Sequence, residues 1–154
     1  MAVTTAMCHS AKLDAMNGAV DFGAFTYKVA LIKTAEAGTY NAASTNYSDI
    51  TGNTDESTAT TGYTAGGATL TAEATFPKLV ATSTAVMDWV NTPWTVTGTL
   101  ASNGCMIYTT DATTGTANRA FSVHAFSGSP SATDGTFTIN WPTGDQTNGI
   151  HRLA

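Results

Sequence analysis

The stretch Phe25-Thr-Tyr-Lys-Val-Ala-Leu-Ile32 decides the fold class of this chain. Phe25, Tyr27, Val29 and Leu31 point one way, and Thr26, Lys28 and Ala30 the other. A period of two is the mark of a strand with one buried face. The same alternation recurs downstream. It runs through Leu70, Ala72, Ala74 and Phe76, through Ala85, Met87 and Trp89, and through Trp94, Val96 and Leu100. It returns in Phe121, Val123 and Ala125 and in Phe137, Ile139 and Trp141. Residues 105–109 follow an Asn103-Gly104 turn, the 137–141 run is entered through Asp134-Gly135, and 150–153 reads as a short closing strand. Strands at intervals of about 8–15 residues with turn signals between them predict an all-β sandwich. The expected architecture is a jelly-roll-like β-sandwich with a short N-terminal helix.

The helix is expected over residues 4–17. Thr4 or Thr5 can cap its start, Asn17-Gly18 stops it, and Ala6, Leu13 and Met16 share a face with Met7 nearby. A helix this short is marginal alone and must pack on its own domain or on a neighbouring subunit. Between the first strand and Leu70 lies a long polar connection, residues 34–68, punctuated by Gly38, Gly52, Gly62, Gly66 and Gly67. Loops of this length are functional or hide short strands, and residues 39–47 and 50–51 could supply them. Within it, Thr61-Gly-Tyr-Thr-Ala-Gly-Gly67 combines glycines fit for a tight turn with one large ring that has a polar tip.

Composition narrows the function. A chain of 154 residues is most simply one domain, here an N-terminal arm over 1–20 and a sandwich over 24–154. Charged residues make up 11%, against about 25% in an ordinary globular protein. About a fifth of the residues are threonine, which suits half-exposed strands. The net charge is −5, and the six Lys and Arg are scattered, so no basic stripe exists to bind nucleic acid. No apolar run could span a bilayer. The N-terminus lacks the basic and apolar segments of a secretory signal, which favours use without secretion. Cys8 and Cys105 read as two buried thiols.

Catalytic patterns are absent. No Gly-x-Ser-x-Gly elbow, phosphate-binding loop or metal-spaced His/Cys set occurs. Asp49, Asn53, Asp55 and Glu56 could offer oxygens to calcium, but their spacing is not that of an EF-hand and a solvated turn is the ordinary reading. His124, opposite Phe121 and Val123, reads as outward or interfacial. A hydrolase assembled by folding would bring it to a serine and a carboxylate. Trp89, Trp94 and Trp141 stay in register with apolar neighbours, which favours core over a sugar-stacking platform. Tyr40, Tyr47 and Tyr63 sit in the long connection, where a ring with a wet end suits a partner. Met7, Leu13, Met16, Tyr40, Tyr47 and Tyr63 are therefore the candidate interface residues. No catalytic, cofactor or metal residue is expected.

A set of segments carries a resemblance. Met16-Asn-Gly-Ala-Val-Asp-Phe-Gly23, Phe25 to Ile32, Asn46-Tyr-Ser-Asp-Ile-Thr-Gly52 and Thr61 to Gly67 look like a family of small virion proteins of tailed bacteriophages. So do Asn118-Arg-Ala-Phe-Ser-Val-His124, Asp134-Gly-Thr-Phe-Thr-Ile139 and the ending Asn148-Gly-Ile-His-Arg152. Each segment alone is turn and strand chemistry, and the ordered set carries the likeness. By analogy, a small acidic β-domain of this kind resembles capsid decoration, or cement, proteins. The resemblance implies a non-enzymatic protein made in the host cytoplasm and placed on the virion surface. It also implies binding to the major capsid protein, often as a trimer, with no nucleic acid, membrane or cofactor involved. A tail, neck or head-fibre component and a carbohydrate-binding adsorption module are the alternatives.

Overall fold

The computed structural model describes residues 2–80, 83–112, 115–145 and 147–153. The fold is all-β and sandwich-like, built from several antiparallel sheets with a short helix near the N-terminus. The largest sheet has the order β1 (Ala6–Met7), β9 (Arg119–Ala125), β8 (Gly104–Thr109), β2 (Tyr27–Ile32) and β3 (Ala68–Thr69). A three-stranded sheet joins β12 (His151–Leu153), β5 (Thr84–Met87) and β4 (Lys78–Val80). Two ribbons pair β10 (Ser131–Thr133) with β7 (Thr99–Ala101), and β11 (Thr136–Ile139) with β6 (Thr92–Thr95).

The strand that decided the class is buried on both faces rather than one. From Tyr27 to Ile32 only Lys28 is part-exposed. Alternation in the sequence under-reads such a strand, because Ala30 and Ile32 are apolar on the second face as well. β8, its partner over Tyr27↔Thr109 to Ile32↔Gly104, is buried throughout. A single hydrophobic cluster links these strands with Trp89, Trp94, Phe121, Phe137 and Ile139.

Two expected elements are corrected. The helix is α1 (His9–Met16), not 4–17, and neither Thr4 nor Thr5 caps it; its N-cap is Cys8. Ala6 and Met7 instead extend the main sheet opposite Val123 and Ser122. The run 70–76 is not a continuous strand. Ala72 makes an isolated bridge to Trp89, and Thr75 adopts a positive φ of 75°, which breaks an extended run.

The long connection 34–68 contains α2 (Ser48–Thr51) and isolated bridges instead of strands over 39–47. It covers the open edge of β2 beyond the two-residue β3. The Ser57 N–H donates to the Leu31 carbonyl, and the Lys33 N–H donates to the Asp55 carbonyl. The Leu31 N–H donates to the Tyr63 hydroxyl at 2.9 Å. A phenol thus stands where a neighbouring strand's carbonyl would be. Unpaired strand edges invite foreign strands, and this edge is closed by the chain itself.

Candidate interface at the N-terminal helix

Two carboxylates build the connection from inside. Asp55 is fully buried, and its oxygens accept from the Ala37 and Gly38 N–H groups and the Tyr40 hydroxyl, with Lys33 Nζ 3.1 Å away. Burial alone would raise its pKa, but these donors outweigh it and hold the carboxyl well below the usual range. Glu56 accepts from the Tyr47 hydroxyl, from the Tyr63 hydroxyl at 2.9 Å and from the Gly66 N–H at 2.7 Å. Asp49 accepts from the Thr45 and Asn46 N–H groups. These acids are occupied by protein donors, and no group of three or more metal-ligating side chains occurs among the described residues. The solvated-turn reading is corrected for Asp55, which is fully buried.

The same geometry relocates the tyrosines. Tyr40 is 1% exposed, and Tyr63 is a core residue tilted against Trp94. Neither ring is at a loop tip, because the Tyr40 hydroxyl is drawn to buried Asp55 and the Tyr63 hydroxyl to half-buried Glu56. Burial, with Glu56 nearby, also pushes the Tyr63 phenol far above its ordinary pKa. Tyr47 is half-buried and stacks on Tyr108 at 4.6 Å. Gly62 and Gly67 hold the turn at positive φ; a Cβ on Gly67 would lie 1.8 Å from the Val29 carbonyl oxygen. The Thr61 to Gly67 turn therefore welds the connection to β2.

The helix residues have the opposite fate. α1 is fixed to β9 by Arg119, whose Nε and Nη2 donate to the two oxygens of buried Asp14 at 2.9 and 3.2 Å. Its core-facing residues are Ala11 and Asp14. Leu13 and Met16, expected to share a face with Ala6, are instead 57% and 89% exposed. They stand three apart, hence as neighbours on the helix surface. Met7, Ala15, Phe22, Val86, Phe121 and Leu153 line an apolar cleft of about 110 Å³ between α1 and the β12–β5–β4 sheet. Leu153 and Leu79 of that sheet are also exposed, at 63% and 64%. The sequence reading missed these two, since a single leucine in a three-residue strand carries no periodic signal.

The remaining candidates resolve as follows. Trp89 and Trp94 are buried; Trp141 is half-buried, edge-on to His124, with its Nε1–H donating to Thr92 Oγ1. Cys8 and Cys105 are free and buried, and burial raises both thiols, Cys8 to about 12, which makes them inert. His124 does not point freely outward. Its Nε2 lies 2.9 Å from Ser122 Oγ, and His151 Nε2 lies 2.8 Å from the same oxygen. Ser122 is only 1% exposed and is flanked by two imidazoles, which leaves no path for a substrate to its hydroxyl. No family model matches the chain, and neither the curated proteins nor the solved structures contain a match to it.

Proposed function

We propose that this chain is a non-enzymatic structural protein of a tailed-phage virion, a capsid decoration protein that binds the outer shell through the α1 face. The observation that carries the reading is the exposed apolar pair Leu13 and Met16 on α1, on a surface otherwise rich in threonine and poor in charge. Exposed apolar surface of this kind marks contact with another protein. The likeness of the ordered segments to small phage virion proteins favours the shell as that partner. Many copies on one shell turn modest contacts into firm attachment, and an acidic surface keeps the outer side soluble without attracting nucleic acid.

The buried position of Ser122 speaks against a hydrolase, and burial of Trp89 and Trp94 removes two of three possible sugar platforms. Removing residues 1–17 would be a poor test, because β1 and the Asp14–Arg119 pair belong to the fold itself. The sharper test is co-sedimentation of the purified protein with undecorated shells. The intact protein pellets with the shells, and the double variant Leu13→Glu, Met16→Glu stays in the supernatant while keeping its circular dichroism. Equal pelleting of both forms rejects the α1 face as the contact.

A further inference from the structure

The C-terminal strand buries one side chain. β12 is three residues long and pairs with β5, and of its side chains His151, 7% exposed, is the buried one. The ring stands edge-on to Phe121 at 4.5 Å and tilted to Phe22 at 5.7 Å. Its Nε2 and that of His124 converge on Ser122 Oγ, while His151 Nδ1 is buried without a hydrogen-bond partner. A serine hydroxyl has one proton and two lone pairs. It can donate to one ring and accept from the other only while the accepting ring is neutral. A charged ring in the accepting position leaves the serine proton with no ring to go to. A charged His151 also carries an N–H at Nδ1 among apolar groups, whichever ring receives the serine proton.

We propose that Ser122, His124 and His151 form an acid-released latch: charging the imidazole pair frees β12 from β5 and uncovers the apolar cleft beneath it. β12 supplies His151, Arg152 and Leu153 to the walls of that cleft, and its departure lays open Val86, Met87 and Phe121. From β9 the titratable group facing His151 is His124. From β5 and from the 19–25 segment the facing groups are Met87 and Phe22. The acids beside those two, Asp88 and Asp21, are engaged with the Trp89 and Gly144 N–H groups and with the Gly23 and Ala24 N–H groups. On α1, Asp14 is held by Arg119. Burial keeps His124 down at about 4, and burial with the neighbouring His124 keeps His151 well below 6.5. Both values are depressed in the closed form. The closed form therefore holds its full advantage above about pH 6.5 and loses it as the pH falls towards 4, by up to about tenfold per pH unit for each ring released.

Hydrogen–deuterium exchange between pH 7 and 4.5, corrected for intrinsic rates, tests this. Protection of residues 85–87 and 151–153 should fall about tenfold or more per pH unit below 6.5, while residues 105–109 keep theirs. In His151→Phe the protection of β12 should not change with pH. A flat profile in the unaltered protein, or the same fall in His151→Phe, overturns the latch. If the variant does not fold, nitrogen NMR of the two imidazoles in the unaltered protein decides. Both rings should stay neutral at pH 6 for as long as β12 is protected, and a ring charged at pH 6 with β12 still protected overturns the proposal.

Discussion

Tyr63→Phe removes one oxygen from the core and keeps the ring. The loss falls on two partners at once. The Leu31 N–H, in the buried strand β2, is left without an acceptor, and Glu56 loses one of its three donors. An unsatisfied buried N–H costs about 1–3 kcal/mol, and a hydrogen bond to a charged group contributes about 1.5–3 kcal/mol. Glu56 keeps Tyr47 and Gly66, so the two costs do not add in full, and the expected loss is about 3 kcal/mol. For a chain of this size that is a fall in Tm of roughly 6–12 °C. Tyr47→Phe is the control, because its ring is half-buried and its hydroxyl, which donates to Glu56, does not serve β2; it should cost about 1.5 kcal/mol. Urea unfolding of both variants measures the difference. Combining Tyr63→Phe with Glu56→Gln should give a coupling energy above about 0.5 kcal/mol. A loss below about 0.5 kcal/mol for Tyr63→Phe, or a larger loss for Tyr47→Phe, refutes the claim that this phenol closes the edge of β2.

Gly67→Ala should prevent soluble expression or cost more than about 3 kcal/mol, since its Cβ would overlap the Val29 carbonyl at a positive φ; Gly115, with open space around it, should accept alanine at a far smaller cost. Asp55→Asn replaces the charged acceptor of the Ala37, Gly38 and Tyr40 donors with a neutral one and should cost about 1.5–3 kcal/mol by thermal unfolding at pH 7. Because the folded pKa of Asp55 is depressed, its contribution is present above about pH 3.8 and drains away below it; the gap between Asp55→Asn and the unaltered protein should therefore narrow only under strong acid. Met16→Glu, at an 89% exposed site, should leave stability within about 0.5 kcal/mol while weakening shell binding about tenfold or more.

Much of the sheet was legible because its strands announce themselves. β8, β9, β11 and β12 each carry a turn signal or a clean alternation, and each forms within a few residues of its expected span. The helix turns its other side to the core for a physical reason: the local pattern makes Leu13 and Met16 an apolar face, but Arg119, more than a hundred positions away, binds Asp14 and turns the leucine and methionine outward. The tyrosines mislead in the same way. A ring with a polar tip suits a wet interface, but it suits a buried carboxylate equally well, and no local pattern reveals that Asp55 and Glu56 point inward. The Ser122 bridge joins β9 to β12 across 29 positions and has no sequence spacing to betray it.

A reconstruction of the virion proposed to carry this chain tests the central claim most directly. The account predicts copies on the outer face of the shell, with Leu13 and Met16 of α1 buried against a neighbouring protein. Copies confined to the tail or neck, or shell-bound copies with α1 facing solvent, would contradict it.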